Sequence, residues 1–177
     1  MIADLNGDGR ADIVVALEDD HAIAVLLGRP QGGFQPASGS PFPAGNSPTS
    51  IAIAELDGDA ILDVVAVNGW DNSLTVLRGD GRGGFRRFEN PIPTGVSPRI
   101  VRIGDVDGDS RNDLLVENIS SGSISVLMGQ GDGSFVPSPN SPFNTGMVRG
   151  LSVADFNGDG RADFVTTSLQ SEFQMSI

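Results

Sequence analysis

The chain has 177 residues, 38% of them hydrophobic, with no cysteine, no lysine and a formal net charge of −12. The missing cysteine excludes a disulfide framework and thiolate metal sites, and His21, the only histidine, leaves too few soft ligands for zinc. So acidic a chain repels nucleic acid and anionic membrane surfaces, and no apolar run reaches the ~18 residues of a membrane span.

The first three residues, Met1-Ile2-Ala3, read as the tail of a strand. An acidic loop follows, DLNGDGRAD over residues 4–12, and then an apolar run, Ile13-Val-Val-Ala16. A polar turn, Glu18-Asp-Asp-His21, leads to a third strand, Ile23-Ala-Val-Leu-Leu27. A Gly-rich turn then delivers Phe34, the start of a fourth strand, and a Pro-rich passage closes the unit.

The same order recurs. The second unit opens with the alternating strand Ile51-Ala-Ile-Ala54, then the loop ELDGDAILD (55–63), Val64-Val-Ala-Val67, the turn 68–72, Leu74-Thr-Val-Leu77 and Phe85. The third has DVDGDSRND (105–113), Leu114-Leu-Val116, the turn 118–122, Ile124-Ser-Val-Leu-Met128 and Phe135. The fourth has Leu151-Ser-Val-Ala154, DFNGDGRAD (155–163) and Phe164-Val165. Loop starts Asp4, Glu55, Asp105 and Asp155 are 51, 50 and 50 residues apart, and the single extra residue falls between Phe34 and Pro48.

Four short strands in about fifty residues is the period of a β-propeller blade. The expected fold is therefore all-β: blades of four antiparallel strands in four repeats, forming an incomplete or associating propeller. The chain reads as one region, 1–177, with units at about 1–47, 48–97, 98–147 and 148–177, the first and last incomplete. A helical repeat fails because Gly or Pro interrupts every candidate and no i, i+3, i+4 pattern appears. In the last unit Ser176 stands where Val126 stands in the third. One extra residue in the turn 168–171 is expected to restore register and bring Met175 and Ile177 inward.

The loops have the pattern of a calcium site. A hard cation takes six to eight oxygens, and positions 1, 3 and 5 of a tight turn can converge on it. A main-chain carbonyl enters at position 7 and a carboxylate closes the shell at position 9. The expected ligands are Asp4, Asn6, Asp8, the Arg10 carbonyl and Asp12; Glu55, Asp57, Asp59, the Ile61 carbonyl and Asp63; Asp105, Asp107, Asp109, the Arg111 carbonyl and Asp113; Asp155, Asn157, Asp159, the Arg161 carbonyl and Asp163. Up to four Ca2+ would follow. Gly7, Gly58, Gly108 and Gly158 at position 4 are expected at positive φ. Fourteen of the 23 acids sit in these loops, so four dications (+8) would take −12 to −4. Glu55 is one methylene longer than Asp, which marks the second loop as compromised and leaves the third as the expected tightest site. The flanking strands and the absence of a glutamate at position 12 exclude an EF-hand. Asp/Asn-Gly turns with solvated acids are the bland alternative, but four in one register argue for a metal.

The segments ADFNGDGRADFV (154–165), VLLG to GGF (25–34) and VLMGQGDGSF (126–135) resemble FG-GAP repeats of the VCBS class, and the resemblance covers essentially the whole chain. It implies β-propellers, often seven-bladed, with calcium between the first and second strands of a blade. It is similar to the integrin α propeller and to bacterial secreted proteins, which implies an extracellular or cell-surface setting. The chain opens without a signal peptide and stops within a third strand. A longer parent, with its N-terminus upstream, or closure by self-association, is the expectation.

Four further features have ordinary readings. Arg78-Gly79-Asp80 spells an adhesion tripeptide, but Gly79 occupies the turn position of Gly28 and Gly129. His21 reads as a solvated turn residue. Trp70 is expected to pack, with sugar stacking as the alternative. Arg82, Arg86 and Arg87 are expected to neutralise neighbouring acids, with an anionic partner as the alternative. The function expected is non-enzymatic: a calcium-rigidified scaffold for a protein or glycan partner. The alternative is the propeller portion of a secreted lyase or hydrolase, against which the absence of Lys and Tyr weighs.

Overall fold

The computed structural model describes residues 1–168, 175 and 176, and every regular element in it is a strand. Four antiparallel sheets follow one another along the chain. The first holds β1 (Ile2–Ala3), β2 (Asp12–Leu17), β3 (Ala22–Gly28) and β4 (Phe34–Pro36), with β5 (Phe42–Pro43) also on β3. The second holds β6 (Pro48–Ala54), β7 (Asp63–Asn68), β8 (Ser73–Gly79) and β9 (Phe85–Pro93). The third holds β10 (Pro98–Gly104), β11 (Asp113–Asn118), β12 (Ser123–Gly129) and β13 (Phe135–Pro137), with β14 (Phe143–Asn144) also on β12. The fourth holds β15 (Val148–Ala154), β16 (Asp163–Ser168) and β17 (Met175–Ser176).

The sheets stack as propeller blades, with β6 against β10 and β10 against β15, so the first strands are neighbours. The cores lie between successive sheets. Alternation along β7 sends Val64 and Ala66 to Val14, Ile23 and Val25 of the first sheet. It sends Val65 and Val67 to Val101, Leu114 and Val116 of the third. Leu115 and Ile124 meet Leu151 of the fourth. β7 and β11 are covered on both faces and buried throughout, which is why their central runs Val64–Val67 and Leu114–Val116 are apolar without alternation. Each fully buried Val, Leu or Ile contributes roughly 1.5–3 kcal/mol. In the first sheet Ile2 and Val15 are exposed.

The fourth strand departs from the simple repeat. It is continuous in β9 but broken in the first and third sheets, where Pro36 and Pro137 stand in place of Arg87 and remove a ladder donor. At the breaks Ser40 Oγ accepts from Val25 N (2.9 Å) and Ser141 Oγ from Val126 N (3.0 Å), replacing the lost backbone acceptor.

The last unit corrects the expected register. Met175 pairs with Val165, as Val126 pairs with Leu115 and Val76 with Val65. Met175 lies 20 residues after its loop start whereas Val126 lies 21, so this hairpin is one residue shorter, not longer. Ile177 and most of the turn 168–171 lie outside the described residues.

Candidate metal centre

The four acidic loops join the first strand of each sheet to the second. Antiparallel order puts them at the same end as the turns after β3, β8 and β12. The position-4 glycines have positive φ as expected: Gly7 69°, Gly58 83°, Gly108 81° and Gly158 80°. Position 6 does too, which the residues did not advertise: Ala60 has φ 64° and Ser110 φ 66°, where loops one and four carry Gly9 and Gly160.

These two left-handed residues curl the backbone so that its amides point at the first carboxylate. Asp105 Oδ1 accepts from Gly108 N (2.7 Å) and Asp109 N (3.2 Å), and Oδ2 from Ser110 N (2.8 Å). Asp155 accepts from Gly158, Asp159 and Gly160, and Asp4 from Asp8 and Gly9. Backbone donors, Gly9 and Gly160 first, hold Asp4 and Asp155 below the ordinary carboxylate range. Glu55 Oε1 accepts from Asp57 N (2.9 Å) and Gly58 N, so its extra methylene does not swing it out of the loop.

Position 3 accepts the amide of position 5 in every loop: Asn6 from Asp8, Asp57 from Asp59, Asp107 from Asp109 and Asn157 from Asp159. Position 5 accepts the amide of position 7: Asp8 from Arg10, Asp59 from Ile61, Asp109 from Arg111 and Asp159 from Arg161. The carboxylates crowd. In loop two Glu55, Asp57 and Asp63 offer oxygens within 4.8 Å of one another, and in loop three Asp105, Asp107 and Asp109 do. Asp113 is not in the loop-three group.

Position 9 does a second job. Asp12, Asp63, Asp113 and Asp163 are all buried. One oxygen of each accepts the amide of position 2 of its own loop: Leu5, Leu56, Val106 or Phe156. In three loops the other oxygen accepts from the glycine ending the third strand: Gly28 (2.8 Å), Gly79 (2.9 Å) and Gly129 (2.8 Å). A Cβ on Gly79 or Gly129 would lie 2.3 Å from the carbonyl oxygen of Leu62 or Asn112, so glycine is required there by close approach. Burial is the largest cause raising Asp63, to about 6, and Asp57 and Asp59 add to it. Burial also raises Asp113.

Successive loops touch. Asn112 Nδ2 donates to the Glu55 carbonyl (2.9 Å), Ala162 N to the Asp105 carbonyl (2.6 Å) and Gly133 N to the Leu56 carbonyl (3.0 Å).

The other singled-out residues are resolved by their contacts. All three residues of the tripeptide are engaged internally. Arg78 pairs with Asp57, Gly79 N donates to Asp63, and Asp80 accepts from Arg82 N and Gly84 N. His21 has φ 54° and its Nδ1 accepts from Ser47 N (3.2 Å); Asn72, φ 51°, does the same for Ser97 N (2.8 Å). His21 thus ties a turn to the next sheet. Trp70 does not pack: it is 79% exposed, because its turn projects beyond the sheet at the end away from the loops. Among the described residues Arg82, Arg86 and Arg87 form no direct ion pair. Hydrogen bonds from Asn46 first, and the charge of Arg87 acting at a distance, help to hold Asp71 below the ordinary carboxylate range.

Sequence reasoning missed Asn68, Asn118, Glu117 and the partner of Arg78. Asn68 and Asn118 are fully buried and donate to Ser73 and Thr75, and to Ser123 and Ser125. The repeated Asn-x4-Ser-x-Ser/Thr spacing was the available signal. Glu117, at the place of Val67, carried none.

A family model described as an FG-GAP-like repeat matches residues 4–66, 55–116 and 117–166. Comparison with curated proteins finds no match. Among solved structures the chain is similar to a crystal structure of BBS1N in complex with ARL6DN, soaked with lead, at 16% identity and a TM-score of 0.66. That likeness covers 99% of this chain and 54% of the other, so this chain spans about half its length, and it carries the fold alone.

Proposed function

Because the chain belongs to the FG-GAP-like repeat family, we propose that it is a calcium-binding, non-enzymatic β-propeller module that works outside the cell as a recognition scaffold. One observation carries the metal reading: in loops two and three three carboxylates from one turn converge within 4.8 Å of one another. Like charges so close repel unless a cation joins them, and Asp63 registers that repulsion from Asp57 and Asp59. The donors are all hard oxygens, the set calcium takes and zinc does not. Side chains at positions 1, 3, 5 and 9 and the carbonyls of Arg10, Ile61, Arg111 and Arg161 would hold the ion. When bound it supplies a fixed positive centre that cross-links both ends of the loop.

Modest sites of this kind suit the millimolar calcium of extracellular fluid. The scaffold presents a second surface at the opposite end of the strands. Exposed Trp70, Val96 and Met147 lie in turns there, and Trp70 offers a flat apolar face on which a sugar ring can stack. The exposed Ile2 and Val15 of the first sheet suit a further blade of the same chemistry, which self-association would bring.

Thermal unfolding with calcium and with chelator tests the metal reading. Calcium is expected to raise the midpoint, and equal midpoints would sink it. Glycan-array binding that Trp70→Ala abolishes is expected for the second surface; binding unchanged by that substitution would remove Trp70 from it.

A further inference from the structure

Arg78 comes from the end of β8, yet its guanidinium lies against the second acidic loop. Its Nε is 2.9 Å from Asp57 Oδ2, and the Asp57 side chain is only 7% exposed. Two further contacts fix the guanidinium. It donates to the Asp132 carbonyl of the third sheet and lies 4.0 Å from the ring centroid of Phe88. The equivalent residues of the first and third units are Leu27 and Met128, so of the first three units only the second places a cation there. Arg10 and Arg111 also pair with loop carboxylates, Asp8 and Asp109, but within their own loops and in more exposed positions.

We propose that Arg78 is a built-in counter-cation of the second loop, competing with calcium for Asp57, so that this site fills after the third and its filling releases Arg78. The inference rests on the calcium reading above. The reason is charge and geometry together. Glu55, Asp57 and Asp63 converge as a three-carboxylate set, and one member already holds a cation on one oxygen. A second cation entering the set meets a fixed positive charge a few ångströms away in a partly desolvated place, where Coulomb repulsion is weakly screened. Glu55 stays in the loop and accepts from Gly58 N as Asp105 does from Gly108 N, whereas Asp105 also accepts from Asp109 N and Ser110 N. Arg78, together with the longer Glu55 side chain, sets the second site apart. Release would also break the Asp132 contact, so filling this loop loosens one clasp between the second and third sheets.

The test is a calcium titration of the full chain followed by NMR, with the Gly58 and Gly108 amides reporting loops two and three, and Arg78→Met as the comparison. In the native sequence Gly58 is expected to shift at higher calcium than Gly108. In Arg78→Met it should shift at calcium lower by on the order of tenfold, with Gly108 unchanged. Equal titration of Gly58 in both proteins overturns the proposal. The Arg78 Nε–H signal of the native protein gives a readout that needs no variant: it should move in step with Gly58. Saturation of Gly58 with that signal unmoved overturns the proposal even if Arg78→Met fails to fold. If no loop amide responds to calcium at all, the metal reading itself falls, which is a different result.

Discussion

The Glu117 carboxylate lies 3.6 Å from Arg99 Nε in the interface between the third and fourth sheets. It is fully buried, neither oxygen has a hydrogen-bond partner among the described residues, and burial pushes its pKa up. Arg99, Arg102 and Arg149 pull it down without cancelling that cost. In the neighbouring interface Val67 fills the equivalent place in an apolar core. Replacing a buried charge by an apolar residue of similar volume is commonly neutral or stabilising by about 1–4 kcal/mol. Arg99 is half-exposed and can return to water. Glu117→Leu is therefore expected to raise stability by about 1 kcal/mol at neutral pH. Urea denaturation checks it, and a loss of stability would show that the ion pair is a net contributor.

Asp113 and Asp107 belong to one loop but do different work. Asp113 is buried and accepts from Val106 and Gly129, whereas Asp107 is exposed and accepts only within the loop. Leaving buried amides unpaired costs about 1–3 kcal/mol each. Asp113→Ala should destabilise the protein by at least about 2 kcal/mol even in chelator. Asp107→Asn should change little in chelator and reduce only the stabilisation by calcium. Melting curves in both conditions separate the two, and matching losses for both variants in chelator would contradict the division of labour.

Ala60 sits at φ 64°, a conformation that costs an L-residue roughly 1–2 kcal/mol and glycine almost nothing. Loops one and four already have glycine at this position. Ala60→Gly is expected to stabilise the protein by up to about 1 kcal/mol, the unfolded-chain entropy of glycine offsetting the remainder. Equilibrium denaturation measures it; a destabilisation would mean that the strain is not borne at this residue.

In calcium-free protein, pH acts through the raised carboxyls. Asp63 has a folded pKa of about 6 against an ordinary 3.8. The folded state then holds the proton more tightly than the unfolded state does. The stabilisation is complete below about 4 and is lost as pH rises to about 6, by roughly 3 kcal/mol for a two-unit gap. Asp57, Asp113 and Glu117 shift in the same direction. Asp4 and Asp155 are lowered, so they act only below about 4. Chelated protein should be less stable at pH 7 than at pH 4.5, and calcium should restore the difference at pH 7. A chelated protein more stable at pH 7 would reverse the sign of the argument.

The sequence by itself determined the blade. Alternating and continuous apolar runs, spaced by Gly-rich turns at a fifty-residue period, allow only strands, and the acidic loops fall between the first and second of them because Asp, Asn and Gly crowd those stretches. These are local or periodic properties, and they are written in residue order. The tertiary structure decided what happens between blades. Arg78 reaches the Asp132 carbonyl because two sheets stack, Asn112 reaches Glu55 across fifty-seven residues of chain, and Glu117 is buried where β15 packs on β11. Trp70 stays exposed although Asn46 of the preceding turn reaches its backbone amide and the Asp71 carboxylate. Gly79, by contrast, belongs to its own blade: its place in an adhesion-like tripeptide is set by the approach of the Leu62 carbonyl across the β7–β8 pair, as Ala11 approaches Gly28 and Asn112 approaches Gly129, so the repeat already marks it.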